Sequence, residues 1–237
     1  MTVTHYERIT ATDGGTFDAY CAVPAGTPAP GVLLFQEIFG INDNIRGLAE
    51  NLADQGYLVL APDMFWRLQP RFESKDESGV ADGMALVQRL DFGLARTDMA
   101  ATLAHLRGMG GCTGRVGAVG FCLGGTLAFL AAATAKPDGR GLDAAVPYYG
   151  SGIHQMLDLV PAVQCPLLMH YGDDDPYIPG DQIAQVEAAL AGRTDITVHH
   201  YAAGHAFSNW DAPSFYREEP AELAWRRTLA FLAEQLS

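Results

Sequence analysis

The sequence predicts an α/β protein whose central sheet is mostly parallel and carries helices on both faces. Three observations lead there: short runs that are apolar without alternation, amphipathic segments between these runs, and glycines where one pattern gives way to the other. Unbroken hydrophobicity is typical of strands that are covered on both faces. We expect about eight strands in a single domain over residues 1–237, because an α/β chain of this length can bury one sizeable core.

The predicted strands are spread over most of the chain. Two strands, "HYERIT" and "TFDAYCAVP", come first. The apolar runs that follow are 31–35, 57–61, 115–119, 143–149, 166–171 and 195–201. Because helical patterns separate these runs, we expect neighbouring strands to pair in parallel.

The helices are predicted from apolar residues spaced by three and four. Ile45, Leu48 and Leu52 share one face ahead of Gly56, which marks a helix stop. The same spacing recurs in two later sets, Met99, Leu103 and Leu106, and Trp225, Leu229, Leu232 and Leu236.

The segment of residues 66–90 fits neither pattern. It begins polar and then carries a weak helical pattern from Val80 through Met84 and Val87. We expect it to be an irregular and helical excursion over one edge of the sheet, close enough to cover a site.

Charge and composition indicate which kinds of molecule the protein can bind. The chain has 28 acidic and 15 basic residues, a net charge of −13, and no basic cluster, so nucleic acids and anionic membranes would be repelled. A small-molecule substrate fits better. The N-terminus lacks a secretory pattern and no apolar run is long enough to span a bilayer, which predicts a cytoplasmic protein. The four cysteines form no CxxC pair, so we expect reduced thiols, and no histidine spacing suggests a metal or other cofactor.

The stretch "GFCLGG" follows an apolar run and precedes a helical one. Glycines at 120 and 124 would let strand and helix backbones approach closely, so that Cys122 stands exposed in a sharp turn at the sheet edge. The following helix directs unpaired N–H groups and a partial positive charge toward the sulfur. We predict that Cys122 is a nucleophile. A buried cysteine in an ordinary loop is the alternative.

A nucleophile needs a base and a group that orients the base. "LLMHYGDDDPYIP" and "VHHYAAGHAFSNW" both place polar residues just past a predicted strand end, where α/β sheets collect catalytic groups. We choose Asp175, since it precedes the turn "PYIP", and His205, since the other histidines lie within strands or without helpful context. The order nucleophile, acid, histidine is that of the α/β hydrolases.

With "QEIFG" after the first long apolar run, these motifs resemble the dienelactone hydrolase family of α/β hydrolases over nearly the whole chain. The resemblance implies an eight-stranded α/β-hydrolase fold, often monomeric, and a Cys122–His205–Asp175 triad that opens lactones or cleaves esters. It also implies that the backbone N–H groups of Ile38 and Leu123 bind the oxyanion. Glu37 would hold the thiol protonated until a substrate binds.

The sequence departs from this family where the substrate's free carboxylate is held by two arginines. One of these positions, four residues after the histidine, is Asn209, and the excursion has no arginine at the other. Asparagine cannot reproduce a bidentate arginine contact. Apolar residues near predicted strand ends, Phe39, Trp66 and Phe207, together with Asn209, are the predicted substrate-binding residues. The cationic residues that could take the place of the two missing arginines are Arg67, Arg71, Lys75 and Arg89.

Three functions stay open on the sequence. The first is a lactone-opening hydrolase that resembles carboxymethylenebutenolidase. The second is a general carboxylesterase or thioesterase for an uncharged substrate, which Asn209 favours. The third is a thiol redox sensor or ligand-binding protein without turnover.

Overall fold

The fold is built around one sheet, seen in a computed structural model that describes residues 1–75 and 77–237. Within these residues the sheet has eight strands. In chain order they are β1 (Val3–Thr10), β2 (Thr16–Val23), β3 (Ala29–Phe35), β4 (Leu58–Pro62), β5 (Cys112–Phe121), β6 (Ala144–Tyr148), β7 (Leu167–Gly172) and β8 (Ile196–Tyr201).

The spatial order of the strands is β1-β2-β4-β3-β5-β6-β7-β8. β1 and β2 form an antiparallel hairpin, and β2 is antiparallel to β4. Every other neighbouring pair is parallel. The prediction of an eight-stranded, mostly parallel sheet is therefore confirmed, with each predicted strand displaced by only a few residues at its ends.

α-Helices lie between most of the parallel strands and after the last one. They are α1 (Asp43–Asp54), α2 (Val80–Arg89), α3 (Phe92–Gly108), α4 (Leu123–Thr134), α5 (Gly180–Leu190) and α6 (Glu218–Gln235). Every residue of β4, β6 and β7 is buried, and since successive side chains point to opposite faces, both faces of the sheet are covered. Within the described part of the chain, no helix combines the length and apolarity that a membrane crossing requires.

Side-chain caps explain where two of the helices begin. Asn42 accepts the N–H of Ile45 at 3.2 Å and starts α1, and Asp91 accepts the N–H groups of Gly93 and Leu94 at the start of α3. The sequence analysis did not identify α5. It starts directly after Pro179 and its first turn has no capping side chain, although its buried residues Ile183, Val186 and Leu190 follow the helical spacing of three and four.

The excursion of residues 66–90 is held against the loop that follows β3. Ser74 N–H donates to the carbonyl of Phe39 at 3.0 Å, and the side-chain amide of Asn42 donates to the carbonyl of Ser74 at 3.1 Å. Further along, a Cβ on Gly83 would lie 2.4 Å from the carbonyl oxygen of Ile38, so α2 rests directly on this loop. The excursion includes Asp76, which lies outside the described residues.

Candidate active site

β5 passes into α4 through a single residue, Cys122. Its backbone has φ 55° and ψ −116°, and a positive φ is strained for any residue other than glycine. The side chain is half-buried. The turn between strand and helix is thus as tight as the glycine-framed motif predicts, and it holds the thiol at the carboxyl edge of the sheet.

Three glycines allow the backbones to meet at this turn. A Cβ on Gly120 would lie 1.9 Å from the carbonyl oxygen of Gly124, and one on Gly124 would lie 2.2 Å from that of Phe35. A Cβ on Gly125 would lie 2.2 Å from the carbonyl oxygen of Tyr148. Real Cβ atoms essentially never come so close to another atom. The helix can begin beside the neighbouring strands only because these residues lack side chains.

The thiol meets an imidazole from a loop far along the chain. His205, after β8, places Nε2 3.1 Å from the Sγ of Cys122, and its Nδ1 lies 2.7 Å from Oδ2 of Asp175, after β7. The other carboxylate oxygen of Asp175 accepts the backbone N–H groups of Tyr177 and Ile178 at 2.8 and 3.2 Å. The backbone of its own turn therefore fixes Asp175, and Asp175 in turn orients His205.

Asp175 also decides which nitrogen of the neutral His205 ring carries the proton. A carboxylate can only accept, so Nδ1 donates and Nε2 is free to take the proton of the Cys122 thiol. Burial would lower the pKa of His205, but the charge of a Cys122 thiolate and the hydrogen bond to Asp175 raise that pKa well above its usual value. An imidazolium is therefore stable beside the sulfur.

Two residues whose backbone N–H groups are predicted to bind the oxyanion, Ile38 and Leu123, line the cavity that contains Cys122. Leu123 is the first residue of α4, so its N–H has no acceptor within the helix and adds to the positive end of the helix dipole. Ile38 follows β3, and both residues line the same cavity as Cys122. Their N–H groups are the candidate oxyanion donors.

Glu37 is a buried acid held by neutral partners. Asn209 donates its side-chain N–H to Oε2 at 2.5 Å, and the hydroxyl of Tyr149 donates to Oε1 at 3.4 Å. The amide of Asn209 is oriented because its oxygen accepts the N–H of Asp211 at 3.0 Å. Burial raises the pKa of Glu37 to about 7, against the opposing effects of His205 and of these two hydrogen bonds.

This arrangement differs from the resting state that the resemblance implies. There, Glu37 would contact the thiol and keep it protonated. Here the thiol is paired with His205, and Glu37 is paired with Asn209 and Tyr149. Both Glu37 and Cys122 line one cavity, so the carboxylate is near the sulfur but bonded elsewhere.

A cavity of about 360 Å³ opens above the sulfur, within the usual size range of small-molecule sites. Its described lining includes every residue of the predicted triad except Asp175, which lies behind His205. The apolar wall is formed by Phe39, Val80, Met84, Val87, Phe92 and Phe215. Three of these residues belong to α2, so the excursion covers the site, and Phe39 lies where the sequence predicts it.

The structure places Trp66 and Phe207 elsewhere. Trp66 stacks on Phe17 at 5.2 Å between ring centroids and donates its indole N–H to Asp98, so it packs against β2 and α3. Phe207 is fully buried against Tyr149 behind the site. Neither belongs to the cavity wall, and the expectation that they bind substrate is corrected. Aromatic residues near strand ends serve packing as readily as binding, and the pattern alone does not separate the two.

Several residues that line the cavity were not predicted from the sequence. Tyr177 and Phe215 lie in loops, and Thr126 and Ser151 lie near the start of α4 and after β6. Tyr149 was included only as the end of a strand. The sequence offers one indication of its role, because Tyr149 precedes Gly150 at the carboxyl end of a predicted strand. In the structure its backbone adopts a positive φ of 35°.

A nucleophile elbow, an acid and a histidine in this chain order, all at the carboxyl edge of a mostly parallel eight-stranded sheet, define the α/β hydrolase class. Comparison with known proteins narrows the class. The model of the dienelactone hydrolase family matches residues 17–236. The chain belongs to the dienelactone hydrolase family.

Individual relatives agree with the family match. A carboxymethylenebutenolidase of Pseudomonas putida is 37% identical over 224 residues, which cover 93% of this chain and 92% of the relative. Carboxymethylenebutenolidase 1 of Cupriavidus pinatubonensis is 34% identical, with 95% of each chain covered. A crystal structure described as a dienelactone hydrolase, from Klebsiella pneumoniae, has a TM-score of 0.85 at 29% identity and covers 98% of this chain and 99% of its own. The protein is accordingly a hydrolase of carboxylic esters or lactones.

Proposed function

We propose that this hydrolase works through a Cys122 nucleophile and a thioester acyl-enzyme. The observation that carries the proposal is the hydrogen-bonded series from the sulfur of Cys122 through His205 to Asp175, at 3.1 and 2.7 Å, with Cys122 and His205 lining the cavity. His205 is the general base and Asp175 its positioning partner. A small ester or lactone is the substrate, and the monomeric state and cytoplasmic location stay predictions.

In the acylation step, His205 takes the thiol proton and the sulfur attacks the substrate's carbonyl carbon. The carbonyl π electrons move to oxygen, where the N–H groups of Ile38 and Leu123 donate to the anion. The intermediate then collapses as the C–O bond breaks, and the leaving oxygen takes the proton from His205. In a lactone this oxygen stays attached as the ring opens.

In the deacylation step, a water molecule replaces the leaving group. His205 removes one proton from this water, and the resulting hydroxide attacks the thioester carbonyl. The C–S bond breaks, the carboxylic acid leaves, and the sulfur regains its proton from His205. Each step thus uses the same imidazole first as a base and then as an acid.

The buried Glu37 lies beside this series without belonging to it. With a pKa of about 7 it can exist in either protonation state near neutrality. We propose that it sets the charge that surrounds the sulfur, since its carboxylate form opposes a second anion in the same cavity.

The test is hydrolysis of 4-nitrophenyl butyrate by the wild type, Cys122→Ala and His205→Ala. We expect both substitutions to remove about 10³-fold or more of kcat. Cys112→Ala is the matched control, because Cys112 is half-buried at the opposite end of β5 and should leave kcat unchanged. Mass spectrometry of the quenched wild type should show a butyryl group on Cys122. Full activity of Cys122→Ala would exclude the thioester route.

A further inference from the structure

The cavity above Cys122 combines a buried acid with a wall that is mostly apolar. Among the described residues that line it, the ionisable side chains are Glu37, Cys122, Tyr177 and His205. None of these carries a permanent positive charge. His205 is hydrogen-bonded to the sulfur of Cys122 through Nε2 and to Asp175 through Nδ1. A substrate bearing its own carboxylate would therefore find no lysine or arginine in the described part of this wall, and the imidazolium that His205 can form is held by the sulfur and by Asp175.

The buried Glu37 further disfavours the binding of a substrate that carries a carboxylate. Glu37 is almost fully buried, and its two hydrogen-bond partners, Asn209 and Tyr149, are uncharged. A second carboxylate in the cavity would face Glu37 with no lysine or arginine of the described lining between them, in surroundings that screen charge poorly. Asn209 is buried and is not part of the described cavity lining, so it acts on the cavity through its hydrogen bond to Glu37.

Three arginines close to the site in sequence are already paired. Arg46 binds Asp43 and Glu73 at 2.6 and 2.8 Å. Arg67 binds Asp13 and Asp98 at 2.6 and 2.8 Å.

Arg71 is the third of these arginines. It binds Asp18 at 2.8 Å and stacks over the ring of Tyr6. For any of the three arginines to enter the cavity, its ion pairs would have to break. Arg67 and Arg71 therefore do not compensate for the missing family arginines.

We propose that the substrates are uncharged esters or lactones with an apolar body, and that Glu37 with its neutral partner Asn209 excludes substrates that carry a carboxylate beside the scissile bond. This inference rests on the proposed function, since it concerns what the same site accepts. The apolar wall formed by α2 and by the loop residues Phe39 and Phe215 would bind the body of the substrate.

A matched pair of lactones tests the proposal. Carboxymethylenebutenolide is ionised at neutral pH, and its methyl ester has the same ring without the charge. Ring opening of each is followed by ultraviolet absorbance at about pH 7.5. We expect kcat/KM for the methyl ester to exceed that for the free acid by about 100-fold. Equal values, or a preference for the free acid, would overturn the proposal.

Two variants at the cavity rim check the role of charge without disturbing buried groups. Met84 lines the cavity and its side chain is partly exposed, so Met84→Lys adds a cation there and Met84→Gln adds polarity alone. We expect Met84→Lys to reduce the preference for the methyl ester by about tenfold, and Met84→Gln to preserve it. If both variants retain the wild-type preference, charge does not decide it and the proposal fails.

The controls separate this inference from the proposed function. Each lactone is also assayed with Cys122→Ala. If ring opening depends on Cys122 and both lactones react equally, only the substrate inference falls. If ring opening survives Cys122→Ala, the thioester route falls, and the substrate inference falls with it.

Discussion

Asp175 and His205 form a hydrogen bond of 2.7 Å between two loops that follow the neighbouring strands β7 and β8. Because these strands are parallel, their carboxyl ends meet at one edge of the sheet, together with the end of β5 that carries Cys122. The carboxylate accepts from the ring and from two backbone N–H groups. Its role is therefore to hold one tautomer and one orientation of His205, which gives the first prediction.

Asp175→Asn should reduce kcat for 4-nitrophenyl butyrate by about 10³- to 10⁴-fold while the fold persists. The asparagine amide can donate to Nδ1, which would place the ring proton on Nε2 and leave no base facing the sulfur. Steady-state kinetics and urea unfolding measure the two effects. Asp174→Asn, an exposed neighbour in the same turn, is the control, and a comparable loss there would show that the turn rather than the tautomer matters.

Gly120→Ala should lower the free energy of unfolding by about 3 kcal/mol, because the new Cβ would lie 1.9 Å from the carbonyl oxygen of Gly124. Backbone, unlike a flexible side chain, cannot move aside without shifting α4. Urea denaturation of both proteins measures the change. Gly180→Ala is the matched control, since nothing lies within 4 Å of the Cβ that it adds. Stability equal to the wild type in Gly120→Ala would contradict the close approach at the turn.

Gly83→Ala should reduce kcat/KM by about tenfold with a smaller effect on stability. Its Cβ would lie 2.4 Å from the carbonyl oxygen of Ile38, so α2 or the Ile38 loop must shift, and the adjacent N–H of Ile38 is a candidate oxyanion donor. The assay is hydrolysis of 4-nitrophenyl butyrate. Gln88→Ala alters an exposed position of the same helix and should have no effect, whereas unchanged kinetics in Gly83→Ala would argue against this coupling.

Glu37→Gln should change how stability depends on pH. The folded-state pKa of Glu37, about 7, lies above its ordinary value of 4.5, so the folded protein binds more protons between these values than the unfolded chain. Stability of the wild type therefore falls as pH rises from about 4.5 to about 7 through this group. Glu37→Gln has no ionisable group at this position and so does not lose stability in this way. Its free energy of unfolding minus that of the wild type should therefore rise by up to roughly 3 kcal/mol between about pH 5 and about pH 8.

The measurement for Glu37→Gln is urea unfolding of both proteins at the two ends of this pH range. Glu222→Gln is the control, because its side chain is 61% exposed on α6 and should not alter the pH dependence. A difference between Glu37→Gln and the wild type that stays constant with pH would mean that Glu37 ionises normally.

The site shows which residue roles a local sequence pattern can predict and which it cannot. "GFCLGG" identified Cys122 as the residue of a tight turn because the glycine requirement is local, and the structure gives that residue a positive φ. Trp66 shows the opposite case. Its sequence position near a strand end fits a pocket, yet it stacks on Phe17, a residue of β2 that no local pattern connects to it.

The sequence by itself determined the mostly parallel sheet, the strand ends from which functional loops emerge, and the chemical types available there. These follow from hydrophobic periodicity and from backbone sterics, which act over a few residues. Only the tertiary structure decided that Asn209 binds Glu37, 172 residues away, and that Arg67 and Arg71 of the excursion are paired with acids rather than turned toward the cavity. Such choices depend on burial and on partners from distant segments, because the free energy of a charge is set by what surrounds it in space.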